Sequence, residues 1–221
     1  MGNVQRPTAT RCSPNKMAEL GKLLIEEQKA EVERLGFGPI LRIGCTYIPR
    51  DIVEWLVERF NPDSRELSIP DGSTIKISAR DIGMALGIRW EGLEVPRKMT
   101  ESGKEALKHQ FGDIGKGMKP EEIMTHFRGG VCDDRFTRAI VVYILVRFLC
   151  PTMNILATQP LLAAVSDPPR IVDYNWAEFV IRRLVDSIRT FKKEDGPKKV
   201  NRGVGGCIFA LMVSNITTYL Y

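Results

Sequence analysis

Apolar and polar residues alternate on both sides of a turn between residues 66 and 77. Leu67 and Ile69 precede the turn, Ile75 and Ile77 follow it, and one polar residue separates the members of each pair. Alternation with a period of two is typical of β-strands that bury one face. A three-residue loop places Leu67 opposite Ile75, whereas a two-residue loop would mix apolar and polar side chains on one face. The sequence therefore predicts a β-hairpin with a three-residue loop.

The loop of this hairpin has the residues that a tight turn needs. Pro70 fixes φ, Asp71 tolerates the second position of the turn, and Gly72 supplies a positive φ. The loop sequence thus supports the pairing that the strand pattern predicts.

A short helix is predicted directly after the hairpin. Ser78 and Asp81 have the spacing of a capping box, with Asp in place of the usual Glu. Gly87 in the left-handed conformation would end the helix, and Ile88 would then fold back onto Met84.

Apolar residues spaced three and four apart predict helices over most of the remaining chain. The helix from Arg135 to Cys150 is apolar on nearly all sides, which places it in the middle of a core. The expected fold class is mainly α (α+β), a single helical domain over residues 16–221 with one small β-hairpin at about 66–77. We predict a disordered tail at 1–15. The apolar pattern still runs at Tyr221, which is typical of a domain truncated at its C-terminus. The predicted helices cover residues 16–35, 48–60, 101–111, 120–129, 135–150, 160–165, 176–193 and 207–221.

Composition is that of an ordinary soluble globular protein, with 43% hydrophobic and 27% charged residues among 221. The net charge of +5 is concentrated between residues 182 and 202, which hold eight basic residues and three acids. Such a window suits sequence-independent contact with phosphate backbones, although a solvated helix face and polar loop explain it equally well. The candidate nucleic-acid-binding residues are Arg182, Arg183, Arg189, Lys192, Lys193, Lys198, Lys199 and Arg202.

The five cysteines are an odd number, lie far apart and form no C-x-x-C pair, which predicts reduced thiols and no zinc site. His109 and His126 lack a metal-binding motif, so we expect surface histidines. Asp133 and Asp134 are better explained as a helix cap than as metal ligands. The segment GVGG at 203–206 is expected to be a flexible loop. The cysteines are Cys12, Cys45, Cys132, Cys150 and Cys207.

Several motifs follow one another along the chain: GFGPIL, ELSIPDGSTIKISARDIGMALGI with EGLEV, RFTRAIVVYILVRFL, DYNWAEFVIRRLV and GCIFALMVSNITTYLY. This succession resembles the plant mobile domain, also called the aminotransferase-like plant mobile domain, over residues 30–221. The Gly-rich stretch 112–117 departs from many members. The structural signature comprises Pro70, Asp71, Gly72, Asp81, Gly87, Tyr174, Asn175 and Trp176.

The resemblance implies an origin in plant transposable elements and a nuclear location. Plant mobile domains occur in such elements and in domesticated nuclear proteins that are implicated in transposon silencing, genome integrity and gene expression, and that act with a protein-phosphatase-like partner. We therefore expect a non-enzymatic protein-interaction module of a nuclear protein, with a partner protein of that kind and no association with a membrane. The alternative is sequence-independent DNA or RNA binding through the basic window 182–202.

Residues for aminotransferase chemistry are not apparent in this chain. A pyridoxal-phosphate enzyme needs a Schiff-base lysine, an acid at the pyridine nitrogen and a phosphate cup on a large α/β fold. The sequence has no alternating βα pattern, and its lysines lie mainly in polar segments. We therefore expect no enzymatic activity, no cofactor and no metal.

Overall fold

The computed structural model describes residues 9–127, 129–193 and 203–220, which form a mainly helical domain with small strands. Short 3₁₀-helices cover Thr125–Phe127 and Pro168–Asp173, and a π-helical turn covers Leu145–Leu149. The strands are β1 (Ala9–Thr10), β2 (Phe60–Asn61), β3 (Glu66–Ser68), β4 (Thr74–Lys76) and β5 (Gly203–Val204). The α-helices are α1 (Pro14–Leu23), α2 (Glu26–Arg34), α3 (Gly38–Leu41), α4 (Arg50–Arg59), α5 (Ala79–Leu86), α6 (Glu101–Phe111), α7 (Pro120–Met124), α8 (Asp134–Ile144), α9 (Gln159–Ala163), α10 (Trp176–Lys193) and α11 (Ile208–Leu220).

Helix α8 lies in the middle of the core, as its pattern predicts. Its residues from Ala139 to Ile144 are all buried, and the π-helical turn that follows buries Phe148 and Leu149 as well. The Asp133 carboxylate accepts hydrogen bonds at 3.0 Å from two backbone N–H groups in the first turn. Asp133 therefore caps the helix, and the prediction of a cap at this position is confirmed.

The hairpin has the predicted register. Leu67 lies opposite Ile75 and Glu66 opposite Lys76, while the Ile69 N–H donates to the Ser73 carbonyl oxygen at 2.8 Å across a three-residue loop. A third strand, β2, pairs with β3 on the other side. The helical pattern over 48–60 concealed that strand, because Phe60 continues the apolar spacing of α4.

Two segments near the N-terminus differ from their predictions. The single helix expected over 16–35 is two helices, since Leu24 and Ile25 adopt extended backbone angles and the Gln28 side chain accepts from the Ile25 N–H at 3.3 Å. The part of the predicted tail that the structure describes is ordered. There β1 pairs in parallel with β5, and Cys12 is buried.

The segment GVGG at 203–206 is packed and is not the expected flexible loop, since its first two residues form β5. All four residues are buried. A Cβ on Gly205 would lie 2.6 Å from the Pro151 carbonyl oxygen, and one on Gly206 would lie 2.7 Å from the Leu184 Cα. Glycine is needed here because the chain passes so close to α10 and to the segment after α8.

Helix α10 is anchored at its first residue. Trp176 is 2% exposed and its Nε1–H donates to the Ile171 carbonyl oxygen at 2.8 Å. Its ring meets those of Phe37, Tyr174 and Phe179 at centroid distances of 5.2, 5.7 and 6.0 Å. Trp176 is therefore the core anchor that the sequence predicts, and it fixes the start of a helix that packs on α5.

Candidate functional site

The first half of the loop between α5 and α6 is hydrogen-bonded to the start of α10 and to the residues just before it. The Leu93 N–H donates to the Asp173 carbonyl oxygen at 2.8 Å, and the Leu93 carbonyl oxygen accepts from the Asn175 N–H at 2.8 Å. The Ala177 N–H donates to the Arg89 carbonyl oxygen at 3.0 Å. We call residues 88–97 the 88–97 loop. These backbone bonds hold the loop in place without using its side chains.

Two glycines allow the close approach of this loop. Gly92 has a φ of +124°, and a Cβ there would lie 2.1 Å from the Asp173 carbonyl oxygen. A Cβ on Gly83 in α5 would lie 2.7 Å from the Cβ and from a ring carbon of Trp90. The indole of Trp90 thus rests directly on the helix backbone at Gly83.

Three large apolar side chains are exposed around this contact. Met84 is 59% exposed, Trp90 39% and Leu93 45%. We call these three residues the α5–loop patch. Ile88 is buried and Met84 is exposed, and the packing of Ile88 onto Met84 stays a prediction. Trp90 and Leu93 sit on a backbone that is already ordered, so binding through them would cost little further entropy.

A second group of exposed apolar side chains lies at the junction of α1 and α2. Leu23 is 55% exposed, Ile25 47% and Val131 63%. The Ile25 side chain reaches to 3.2 Å from where a Cβ on Gly130 would be. These three residues form the α1–α2 patch, which serves as a natural comparison for the α5–loop patch.

The other side of the 88–97 loop borders a groove of about 610 Å³ along α10. We call it the arginine groove. Its charged residues are five arginines and four acids, and its apolar lining includes Val95, Phe179 and Val185. The arginines are Arg65, Arg97, Arg182, Arg183 and Arg189, and the acids are Asp63, Glu94, Glu178 and Asp186.

Most of these charges are joined in ion pairs. The Glu178 carboxylate accepts hydrogen bonds from Nη2 and Nη1 of Arg65, at 3.0 and 3.2 Å. It also accepts one from Nε of Arg182 at 2.8 Å. Glu94 pairs with Arg182 and with Arg97.

Arg189 forms a separate pair of contacts at the other end of the groove. It bonds Asp63 at 3.0 Å and Asp186 at 3.2 Å. Each of the four carboxylates therefore has an arginine partner.

The ion pairs favour the ionised forms of Glu178 and Glu94. Burial would raise the pKa of Glu178, but the hydrogen bonds from Arg65 and Arg182 outweigh it and hold that pKa below its ordinary value of 4.5. The hydrogen bond from Arg182 likewise lowers the pKa of Glu94. Carboxylates of this kind are poor proton donors at neutral pH.

Within the described residues, the predicted basic window is partly engaged in internal contacts. Arg182 and Arg189 hold the carboxylates just named, and the Lys192 ammonium donates to the carbonyl oxygens of Glu58 at 3.1 Å and Phe60 at 2.8 Å. Burial lowers the pKa of Lys192. Lys193 is exposed and Arg183 is half-buried. The remaining members, Lys198, Lys199 and Arg202, lie outside the described residues.

The signature residues mainly stabilise turns and helix ends. Pro70, Asp71 and Gly72 form the hairpin loop, Asp81 completes the capping box with Ser78, and Gly87 is left-handed with φ at 65°. The Asn175 side-chain oxygen accepts from the Glu178 N–H at 2.9 Å, and Tyr174 and Trp176 are buried. These roles are structural, and the Asn175 backbone N–H also bonds the 88–97 loop.

Three of the cysteines lie in the core, whereas the two histidines lie at or near the surface. Cys12, Cys150 and Cys207 are buried, and burial raises the pKa of the Cys150 thiol, as expected for a core cysteine. His109 is exposed, while His126 is half-buried against Phe111, with burial lowering its pKa. No group of histidine, cysteine and acidic side chains among the described residues is placed to hold a metal ion.

Comparison with known proteins places the chain in a family. A family model described as "Domain of unknown function (DUF8566)" matches residues 10–212. The chain belongs to this family. No curated protein and no solved structure matches it. Across the part of the chain that the structure describes, no helix is both long and apolar enough to cross a membrane.

Sequence reasoning did not identify the two surfaces that border the 88–97 loop. Trp90 and Leu93 lie in a stretch without periodicity, so no pattern marks them as exposed. The ion pair of Arg65 with Glu178 joins residues 113 positions apart, and its partners cannot be matched from spacing. One available signal was Gly92, because an isolated glycine can mark a close backbone approach.

Proposed function

We propose that this chain is a non-enzymatic protein-interaction module of a nuclear, transposable-element-derived protein, and that the α5–loop patch contacts the partner. The observation that carries the proposal is the placement of Trp90 and Leu93, exposed on a loop that three backbone hydrogen bonds hold against α10. Rigid, exposed apolar anchors are typical of the residues that dominate binding energy at interfaces.

The choice of this patch over the α1–α2 patch rests on residue type and support. The α5–loop patch contains tryptophan and methionine, which are enriched in interfaces, whereas the α1–α2 patch contains aliphatic residues alone. The backbone bonds of Arg89 and Leu93 to residues 173–177 also support its loop.

The nuclear setting and the kind of partner come from the resemblance to the plant mobile domain. That resemblance makes a protein-phosphatase-like protein the first partner to test, and roles in transposon silencing, genome integrity or gene-expression control the first to examine. Of the signature residues, Asn175 donates its backbone N–H to the Leu93 carbonyl oxygen and Tyr174 forms a β-bridge with Leu93, which connects the resemblance to the proposed surface.

Capture from plant nuclear extract tests the proposal. The wild type is compared with a Trp90→Ser/Leu93→Ser variant and with a matched control, Leu23→Ser/Ile25→Ser, which removes two exposed apolar side chains elsewhere. We expect a protein that the wild type and the control retain and the patch variant loses. Purified, that protein should bind the wild type directly, with little dependence on salt because the contact is apolar.

Two results would contradict the proposal. One is a set of captured proteins that the Trp90→Ser/Leu93→Ser variant retains unchanged. The other is a partner that the α1–α2 control loses and the patch variant keeps, which would move the interface to the other patch.

Sequence-independent nucleic-acid binding is the second candidate function. Lys193, exposed at the end of α10, has no hydrogen-bond or ion-pair partner among the described residues, so its charge is available to phosphates. Labelled DNA and RNA, at low and physiological salt, are titrated with the wild type and a Lys198→Glu/Lys199→Glu/Arg202→Glu variant. Steep salt dependence that the variant loses would support this function. Absence of binding at both salt concentrations would reject it.

A further inference from the structure

Arg183 differs from the other four arginines of the arginine groove. Arg65, Arg97, Arg182 and Arg189 each bond a carboxylate of the groove. Arg183 has neither a hydrogen bond nor an ion pair with any described residue, although it is half-buried. Five arginines face four acids, so the groove carries one positive charge in excess, and that charge is placed on Arg183.

The paired charges do not compete for Arg183. Each carboxylate of the groove already accepts from another arginine, and Asp186, three residues from Arg183, is held by Arg189 at 3.2 Å. A guanidinium that has lost part of its hydration and has no counterion among the described residues gains most from an anion that can accept two of its N–H groups.

The groove around Arg183 has apolar walls as well as charge. Val95 and Val185 are buried and Phe179 is half-buried along the lining. The volume of about 610 Å³ exceeds that of a bare phosphate and lies within the range of small-molecule sites. A ligand that fills it therefore has an apolar part next to its anionic group.

Backbone strain lies beside the same groove. Arg65 has a φ of +58°, a left-handed conformation that a non-glycine residue adopts only at a cost in free energy. The side chain of this strained residue donates two hydrogen bonds to Glu178, and these bonds fix one wall of the groove. Strain of this kind occurs preferentially where a structure positions side chains for binding.

We propose that the arginine groove binds a single organic oxyanion, a carboxylate or a monophosphate attached to a partly apolar group, with Arg183 as the residue that receives the anion. A polyanion such as a nucleic acid is disfavoured, because the negative charges of the groove carboxylates would repel its further phosphates. This site is separate from the α5–loop patch and goes beyond the proposed function.

Titrations followed by amide NMR test the site with simple probes. Phenyl phosphate and 3-phenylpropionate supply the anion with an apolar ring, 3-phenylpropanamide is the neutral counterpart, and inorganic phosphate lacks the ring. We expect both organic anions to bind in the millimolar range or tighter, inorganic phosphate to bind more weakly, and the amide not to bind. Signals of residues around Arg183 should shift.

Variants assign the binding to Arg183. Arg183→Gln should weaken both organic anions by about tenfold or more, since it removes a charged donor. Arg183→Lys keeps the charge and should fall between this variant and the wild type. Arg50→Gln, which removes an exposed arginine outside the groove, should leave binding unchanged.

The outcomes that overturn the site are equally specific. They are the absence of binding by both organic anions, equal binding of the neutral amide, unchanged binding by Arg183→Gln, or displacement of phenyl phosphate by an oligonucleotide. The spectrum of each variant shows whether it is folded. None of these outcomes bears on the α5–loop patch, so the two proposals fail independently.

Discussion

The α5–loop patch and the arginine groove share the 88–97 loop but hold their side chains by different means. On the patch side, backbone hydrogen bonds fix the loop, and Trp90 and Leu93 extend from it into solvent. On the groove side, the side chains hold one another, through the ion pairs of Glu94 and Glu178 with their arginines. A surface fixed by its backbone keeps apolar side chains free for a partner, whereas a surface fixed by its side chains uses most of them internally.

The two surfaces should consequently respond to different changes. Salt and pH act on charges, so they should affect the groove and leave the patch nearly unaltered. A side chain added at Gly83 should instead affect the patch and leave the groove nearly unaltered. Both surfaces depend on the anchored start of α10.

The largest expected effect is the loss of that anchor. Trp176→Ala removes a buried ring that contacts three other aromatic rings, together with its hydrogen bond to Ile171. We expect a loss of about 3–5 kcal/mol in the free energy of unfolding. Denaturation by urea measures it. Trp90→Ala is the matched control, because it removes an indole that is 39% exposed and should cost far less. Equal losses of unfolding free energy for the two variants would contradict the role of Trp176 as the anchor of α10.

An intermediate effect is expected from Gly83→Ala, which acts on the patch alone. Helix propensity by itself would favour alanine by up to about 1 kcal/mol. The added Cβ would however lie 2.7 Å from Trp90 and 2.9 Å from the Ile88 carbonyl oxygen. We expect a net loss of about 1–3 kcal/mol, which is typical of overpacking. Urea denaturation measures the loss, and the fluorescence of Trp90 should change with it.

The neighbouring variant Met84→Ala serves as the control for Gly83→Ala. Met84 is 59% exposed, so its truncation should change the free energy of unfolding by no more than about 0.5 kcal/mol. If Gly83→Ala stabilised the protein instead, Trp90 would not be packed on α5 as described.

The smallest expected effect concerns the charges of the groove. Glu178→Gln removes the negative charge that pairs with Arg65 and Arg182 and should cost about 1 kcal/mol near neutral pH, because the site is partly exposed to solvent. Glu105→Gln, at an exposed glutamate without an ion pair among the described residues, is the control and should be nearly neutral.

The effect of Glu178→Gln on the free energy of unfolding should depend on pH, in a direction that the pKa of Glu178 fixes. The pKa of Glu178 is lower in the folded protein than its ordinary value of 4.5, so the unfolded chain takes up the proton first. Its stabilising effect is thus present above about pH 4.5 and is lost as the pH falls through the folded pKa. The difference between wild type and Glu178→Gln should therefore shrink in acid. A constant difference from pH 7 to pH 3 would show that the ion pairs do not stabilise the fold.

The elements that sequence predicts well are those with local causes. The hairpin register follows from the alternation around Leu67 and Ile75, the helix cap from Asp133, and the central core helix from its uniform apolar character. Each depends on residues close together in the chain. The break between α1 and α2 was missed because leucine and isoleucine at 24 and 25 continue the helical spacing.

The candidate surfaces have causes that are distant in sequence. The 88–97 loop is placed by hydrogen bonds to residues 173–177, and the groove by ion pairs such as that of Arg189 with Asp63. In neither case does the sequence around one residue show which distant residue it will contact. The basic window illustrates the same limit, since composition counts Arg182 and Arg189 as free charges whereas the fold pairs both with carboxylates.

Photo-crosslinking from the patch tests the central claim most directly. A benzophenone side chain is introduced in place of Leu93, and in a separate protein in place of Leu23 of the α1–α2 patch, and both are irradiated in plant nuclear extract. We predict a discrete protein that is crosslinked from position 93, absent from position 23, and competed by unlabelled wild type but not by Trp90→Ser/Leu93→Ser. The same crosslinks from both positions, or none from position 93, would contradict the assignment of the α5–loop patch as the interaction surface.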